Sequence, residues 1–127
     1  MGADFVTGWA VEPDQRASLL ARLPPAYADA VADHVTLWSG QPADAPLPSE
    51  TKGEIIGRAD DGQGVEAMVV RIGGTHRRPD GGVYHITWSL DRAAGRRGKD
   101  SNDVIARLGW RDLPPVEVKL RPARFPR

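Results

Sequence analysis

Apolar and polar residues alternate with a period of two in His34-Val35-Thr36-Leu37 and again, 51 residues later, in His85-Ile86-Thr87-Trp88. That period marks a strand with one face buried and one face open. Around these two, residues 4–11 (DFVTGWAV), 53–58 (GEIIGR), 65–72 (VEAMVVRI) and 116–120 (VEVKL) also read as strands, and the two motif strands extend over 34–38 and 83–90. Residues 15–23 (QRASLLARL) place Leu19, Leu20 and Leu23 on one helical face, with Asp14 as the N-cap. A second short helix is expected over 26–33, after Pro24-Pro25. A last helix spans 102–108, capped by Asp100 or Ser101 and ended by Gly109.

The connections are marked by turn residues. Residues 39–51 carry Pro42, Pro46 and Pro48 and read as a long loop, 59–64 as a hairpin turn, and 73–82 as a second turn around Pro79-Asp80-Gly81-Gly82. Residues 91–99 read as flexible and basic, and Pro114-Pro115 is expected to break the chain before the final strand. The element order is β-α-β-β-β-β-α-β: one α+β domain over residues 1–127 with two or three helices.

On a strand, residues i and i+2 share a face. His34 and Thr36 therefore point one way, together with Trp38, and His85 and Thr87 do the same on their strand. Tyr84, Ile86, Trp88 and Leu90 take the opposite face, which makes Trp88 a core residue and Trp38 the better candidate to stack on a ring. A single His-x-Thr is unremarkable on the wet face of a strand. Of the three histidines in the chain, however, two carry Thr at i+2, and the duplication in matching contexts points to chemistry.

Composition narrows the field. The 127 residues contain no Cys, so a disulfide framework and a thiolate metal site are both excluded. No apolar run approaches the ~18 residues of a membrane span, and the N-terminus lacks the basic and apolar regions of a signal peptide. Met1-Gly2 begins like a myristoylation site, but Val6 stands where Ser or Thr is required. These features lead to the expectation of a cytoplasmic protein with no membrane association and no obligate protein partner. Net charge is zero, which argues against a general nucleic-acid coat. The distribution is uneven: residues 1–70 hold 4 Lys/Arg against 11 Asp/Glu, and residues 71–127 hold 13 against 6. Such a bias suits an anionic ligand near the second motif.

Two imidazoles and two hydroxyls around one phosphate make a minimal set for cleaving a phosphodiester without metal. Histidine, with an unperturbed pKa of ~6.5, can act as acid or as base near neutrality. Hydroxyls can donate to the non-bridging oxygens where charge builds. In this respect the chain resembles the 2H phosphoesterases, a family named for two His-x-Thr/Ser motifs, here His34/Thr36 and His85/Thr87. With Ser101-Asn102 after the second motif, it is most similar to the cyclic phosphodiesterase branch of the tRNA-ligase type. The resemblance implies a fold of two pseudosymmetric lobes of antiparallel sheet, with the motif strands lining a central cleft. It also implies an enzyme needing no metal or other cofactor, with His34, His85, Thr36 and Thr87 catalytic. Its partners would be nucleotides or RNA carrying a 2',3'-cyclic or 2'-5' phosphodiester.

Trp38, Arg77, Arg78 and Ser101 are candidate substrate contacts, although Ser101 is better suited to capping the helix, a role that a helix N-terminus can combine with binding. His76 reads as a solvated turn residue. The run 95–99 (GRRGK) departs from a phosphate-binding P-loop, because Ala93 and Asp100 stand where Gly and Ser/Thr are needed. Two alternatives use the same residues: a metal site on His34 and His85, which leaves the paired threonines unexplained, and a module that binds nucleotides or RNA ends without turnover, which has no need of both histidines.

Overall fold

All six stretches read as strands pair with one another, and a seventh short strand joins them. The structure is a computed structural model that describes residues 4–126; the Met1-Gly2 dipeptide lies outside the described residues. The elements are β1 (Phe5–Val11), α1 (Pro13–Arg22), β2 (Asp29–Ala30), β3 (His34–Gln41), β4 (Lys52–Asp60), β5 (Val65–Arg71), β6 (His85–Leu90), α2 (Asp100–Leu108) and β7 (Arg111–Pro126), with a 3₁₀ turn at Arg92–Ala94 before α2. The strands form one antiparallel sheet in the order β2-β6-β5-β4-β7-β1-β3. The strands β2 and β3 occupy its opposite edges, although only Val31, Ala32 and Asp33 separate them in sequence. The sheet must therefore curl until its edges meet, and the α+β architecture is this curled sheet with two helices.

One apolar cluster fills the curl: Trp9, Val35, Ile55, Met68, Ile86, Trp88 and Val118 are buried there, with Leu19 of α1 packed among them. A second cluster lies under α2, where Val104 and Ile105 cover Val65, Ala67, Val69 and Leu90. β5 is covered on both sides, which explains its nearly unbroken apolar run.

Four expectations are corrected. Residues 26–33 do not form a helix; Asp29–Ala30 pairs with Leu90 and Ser89 of β6 instead. Their helical composition is overridden because Glu66, a fully buried carboxylate, captures this segment. Its Oε1 accepts from the Ala26 N–H (2.9 Å) and from Ser89 Oγ (2.6 Å), whose oxygen in turn accepts from the Tyr27 N–H (3.1 Å). Its Oε2 accepts from Arg58 Nε (2.5 Å). Next, α1 starts at Pro13, so Asp14 lies in its first turn and does not cap it. Pro114-Pro115 does not break the chain: β7 continues through it, and the register against β4 jumps there from Ile55↔Val116 to Gly57↔Asp112. The prolines occupy the bulge, where no ladder donor is needed. Finally, Leu90 leaves the face of Ile86 and Trp88 and packs under α2, because β6 bulges at Trp88: Ala67 pairs with Thr87, and Glu66 with Ser89.

Glu66→Leu removes the acceptor of the buried Ser89 hydroxyl and of the Ala26 N–H, and the partner of Arg58. A loss of about 3 kcal/mol is expected for breaking such a pair from one side, read as a lower urea midpoint at unchanged m.

Candidate active site

The first motif enters the site from the edge of the sheet. Asp33 follows Ala32, which adopts a left-handed backbone (φ 46°), and its carboxylate turns onto the next residue: Asp33 Oδ1 accepts from His34 Nδ1 at 2.6 Å. Nε2 is then the nitrogen left open. Burial alone would raise the Asp33 pKa, but the hydrogen bond with His34, the charge of that ring and Arg16 outweigh it and hold the carboxyl below its ordinary range. Asp33 is thus an ionised partner for the imidazole. The ring also lies 5.1 Å from that of Phe125 on β7. Thr36 shares the face of His34, as the period of two requires.

The second motif comes from inside the sheet. His85 is 9% exposed, and its Nδ1 donates to the Val83 carbonyl at 2.8 Å, which again leaves Nε2 open. Burial lowers its pKa, and the charges of Arg78 and His34 lower it further against the opposing Val83 bond, so the ring is held neutral. The Thr87 hydroxyl lies 2.8 Å from Ser101 Oγ and 3.3 Å from the Gly98 carbonyl. When Ser101 donates to Thr87, the Thr87 proton points to the Gly98 carbonyl, a long bond that a ligand oxygen would have to replace.

His34, Thr36, His85 and Thr87 line one small cavity of about 200 Å³. Arg78 from the turn before β6 and Lys99 and Asn102 from the start of α2 complete its wall, with Ser39 on the β3 side. Arg78 is 12% exposed and fixed in place: its Nε donates to Asp80 Oδ1 (2.8 Å) and an Nη to Asn102 Oδ1 (3.4 Å). It lies across Gly82, where a Cβ would come within 2.5 Å of the guanidinium. Asp80 is held ionised, its pKa lowered chiefly by the Arg78 hydrogen bond. The cavity thus gathers two imidazoles, hydroxyl groups and two cations, a set that fits a small anion. Among the described residues, no group of three or more His, Asp or Glu side chains converges where a metal ion could be held.

Other predicted contacts are placed differently. Trp38 is 38% exposed and does not line the cavity. β3 bulges at Leu37, since Gly8 pairs with Thr36 and Thr7 with Trp38, so alternation resumes out of step and Ser39 reaches the site. Each His-x-Thr is therefore followed at once by a bulge, at Leu37 and at Trp88. Arg77 is exposed and does not line the cavity; its backbone bridges to Val83, and its N–H donates to Thr75 Oγ1 at 3.0 Å. Ser101 is fully buried and contacts Thr87, not the cavity; it makes no cap, because α2 starts without a side-chain cap. The amides of Asp100, Ser101 and Asn102 are already taken by the carbonyls of Arg97, Gly98 and Lys99, so the helix end offers these donors to no ligand. His76 is not loose in solvent either: its ring meets Trp110 edge-on at 5.2 Å. Asp33, Ser39 and Lys99 were not singled out in the sequence; the Asp-His dipeptide was the readable signal for the first.

No protein-family model, no curated protein and no solved structure matches the chain. Among the described residues, no helix is long and apolar enough to cross a membrane.

The His85 proton resonances are expected to titrate with a midpoint below 6.5 in an NMR pH series. Because the folded pKa is depressed, the unfolded chain takes up the proton first. Stability is fully present above about pH 6.5 and falls as pH drops from there toward the folded value. Urea midpoints across this window should fall with pH, and His85→Gln should flatten the slope.

Proposed function

We propose that the chain is a phosphodiesterase of the 2H type, acting on 2',3'-cyclic phosphate ends or related RNA-type phosphodiesters. The observation that carries this reading is the convergence of both His-x-Thr pairs on one cavity small enough for a single phosphate, between Arg78 and Lys99. The parallel between the halves supports it: β1 with β3, and β5 with β6, each carry His-x-Thr followed by a bulge. This is the arrangement expected of the family's two pseudosymmetric lobes.

The surroundings of the two rings divide the labour. His85, held neutral, takes a proton from the attacking water through Nε2. The water oxygen bonds to phosphorus as the P–O bond to the leaving ribose oxygen breaks, and His34 Nε2 delivers a proton to that oxygen. Ionised Asp33 holds His34 with Nδ1–H toward itself and so presents Nε2 to the reaction. Thr36, Thr87, Arg78 and Lys99 stabilise the charge on the non-bridging oxygens. Proton transfers at both ends match the requirements of in-line displacement.

Hydrolysis of 2',3'-cyclic nucleotides should proceed with excess chelator present. His34→Ala and His85→Ala should each lower kcat/KM by roughly 10²–10⁴-fold, with a cooperative unfolding transition retained. The wild-type pH profile should be bell-shaped, its limbs being macroscopic values of the pair. Each alanine variant should remove one limb. Thr36→Val should slow the reaction with both limbs intact, since a hydroxyl does not titrate there. Full-rate turnover by His85→Ala would sink the mechanism. Tight binding of cyclic nucleotides without any turnover would leave a binding module.

A further inference from the structure

A second, larger cavity of about 500 Å³ adjoins the two-histidine cavity, within the roughly 300–1,000 Å³ typical of small-molecule sites. The two share Arg78, His85 and Asn102 in their walls. Arg78, braced between Asp80 and Asn102, is the partition between them. Beyond it the wall is apolar, formed by Val83, Ile105, Ala106 and Trp110, and the rim carries the carboxylates of Asp80 and Asp103.

We propose that this compartment receives the nucleobase of the ligand whose phosphate sits between His34 and His85; the inference rests on the phosphodiesterase reading above. Three observations carry it. The first is continuity: a group here is joined to one in the histidine cavity past His85 and Arg78. The second is the wall. Trp110 is held from behind, since any Cβ at Gly57 would strike its ring, and His76 meets it edge-on. A fixed aromatic surface with aliphatic neighbours suits the face of a flat heterocycle.

The third is charge. The carboxylates of Asp80 and Asp103 make this end unfavourable for a further phosphate. On the opposite flank, past Gly98, an open depression is lined by Arg92, Arg97 and Arg96, the last paired with Asp61 and Asp100. Along the groove the order is therefore basic loop, histidine cavity, then apolar compartment with an acidic rim. Phosphates belong to the first two and an uncharged ring with N–H donors at its edge to the third, because carboxylates there accept hydrogen bonds.

The test is calorimetric titration of the full chain with 3'-AMP and with glycerol 2-phosphate, which carries a phosphate monoester but no base, beside an assay of 2',3'-cyclic AMP hydrolysis. The base should make 3'-AMP bind at least tenfold more tightly. Ala106 is exposed on α2, so Ala106→Phe should fold, checked by circular dichroism, while filling the compartment. It should bring the ratio of the two affinities toward one. A wild-type ratio near one, or a ratio unmoved in Ala106→Phe, overturns the base site; with cyclic AMP still hydrolysed, the phosphodiesterase reading stands without it. Absence of both hydrolysis and binding of either ligand overturns the two together.

Discussion

Everything in this molecule that resembles a site depends on how the sheet closes on itself. Three residues make the closure. Val31 N–H donates to the Trp88 carbonyl and Ala32 N–H to that of Thr87, both at 2.9 Å, while the Asp33 carbonyl accepts from the Val11 N–H at 2.9 Å. The segment thus bonds to the second motif strand and, one residue later, to the strand beside the first. Arg16 of α1 reinforces it by donating to the carbonyls of Ala30 and Val31. Ala32 is buried and sits at φ 46°, a conformation that costs about 1–2 kcal/mol for a residue with a Cβ. The backbone is forced there because the chain must cross from one edge of the sheet to the other within three residues. The next residue is His34.

That closure explains why the two histidines have unlike surroundings although their motifs match. His34 lies on the terminal strand β3, where its ring is half open and its partner is the adjacent carboxylate. His85 lies on β6, flanked by β5 and β2, where its partner is a backbone carbonyl. Burial disfavours the charged form of His85, and the Val83 carbonyl opposes that shift without overcoming it; His34 stands half open beside an ionised carboxylate. The difference between the two imidazole settings thus follows from topology, since the motifs themselves are identical in their first and third residues.

The strands and the shared face of each His-x-Thr were legible because alternation reports burial directly, and both motif strands bury one side. Residues 26–33 were misread for the opposite reason. Their pairing depends on Glu66, forty residues from Ala26, and local propensity holds no trace of that contact. Trp38 was misplaced by a single bulge at Leu37, since one extra residue reverses every side chain after it. Gly8, opposite the bulged stretch, was a trace of that distortion: a Cβ there would collide with the Val35 carbonyl. Ser101 was legible as a helix start and illegible as a support, because its bond to Thr87 spans two elements.

The charge asymmetry of the sequence acquires a location once the sheet is curled. The acidic first half supplies Asp33, behind His34; the basic second half supplies Arg78 and Lys99 in the cavity wall and the arginines of 92–97 beside it. Two oppositely charged halves on an open sheet would make two separate faces. Folded edge to edge, they place Arg78 and Lys99 in the cavity wall and the carboxylate that orients His34 on the far side of its ring. Asp33 itself does not line the cavity. A chain of zero net charge can in this way hold a locally positive cavity without the long-range field of a basic protein.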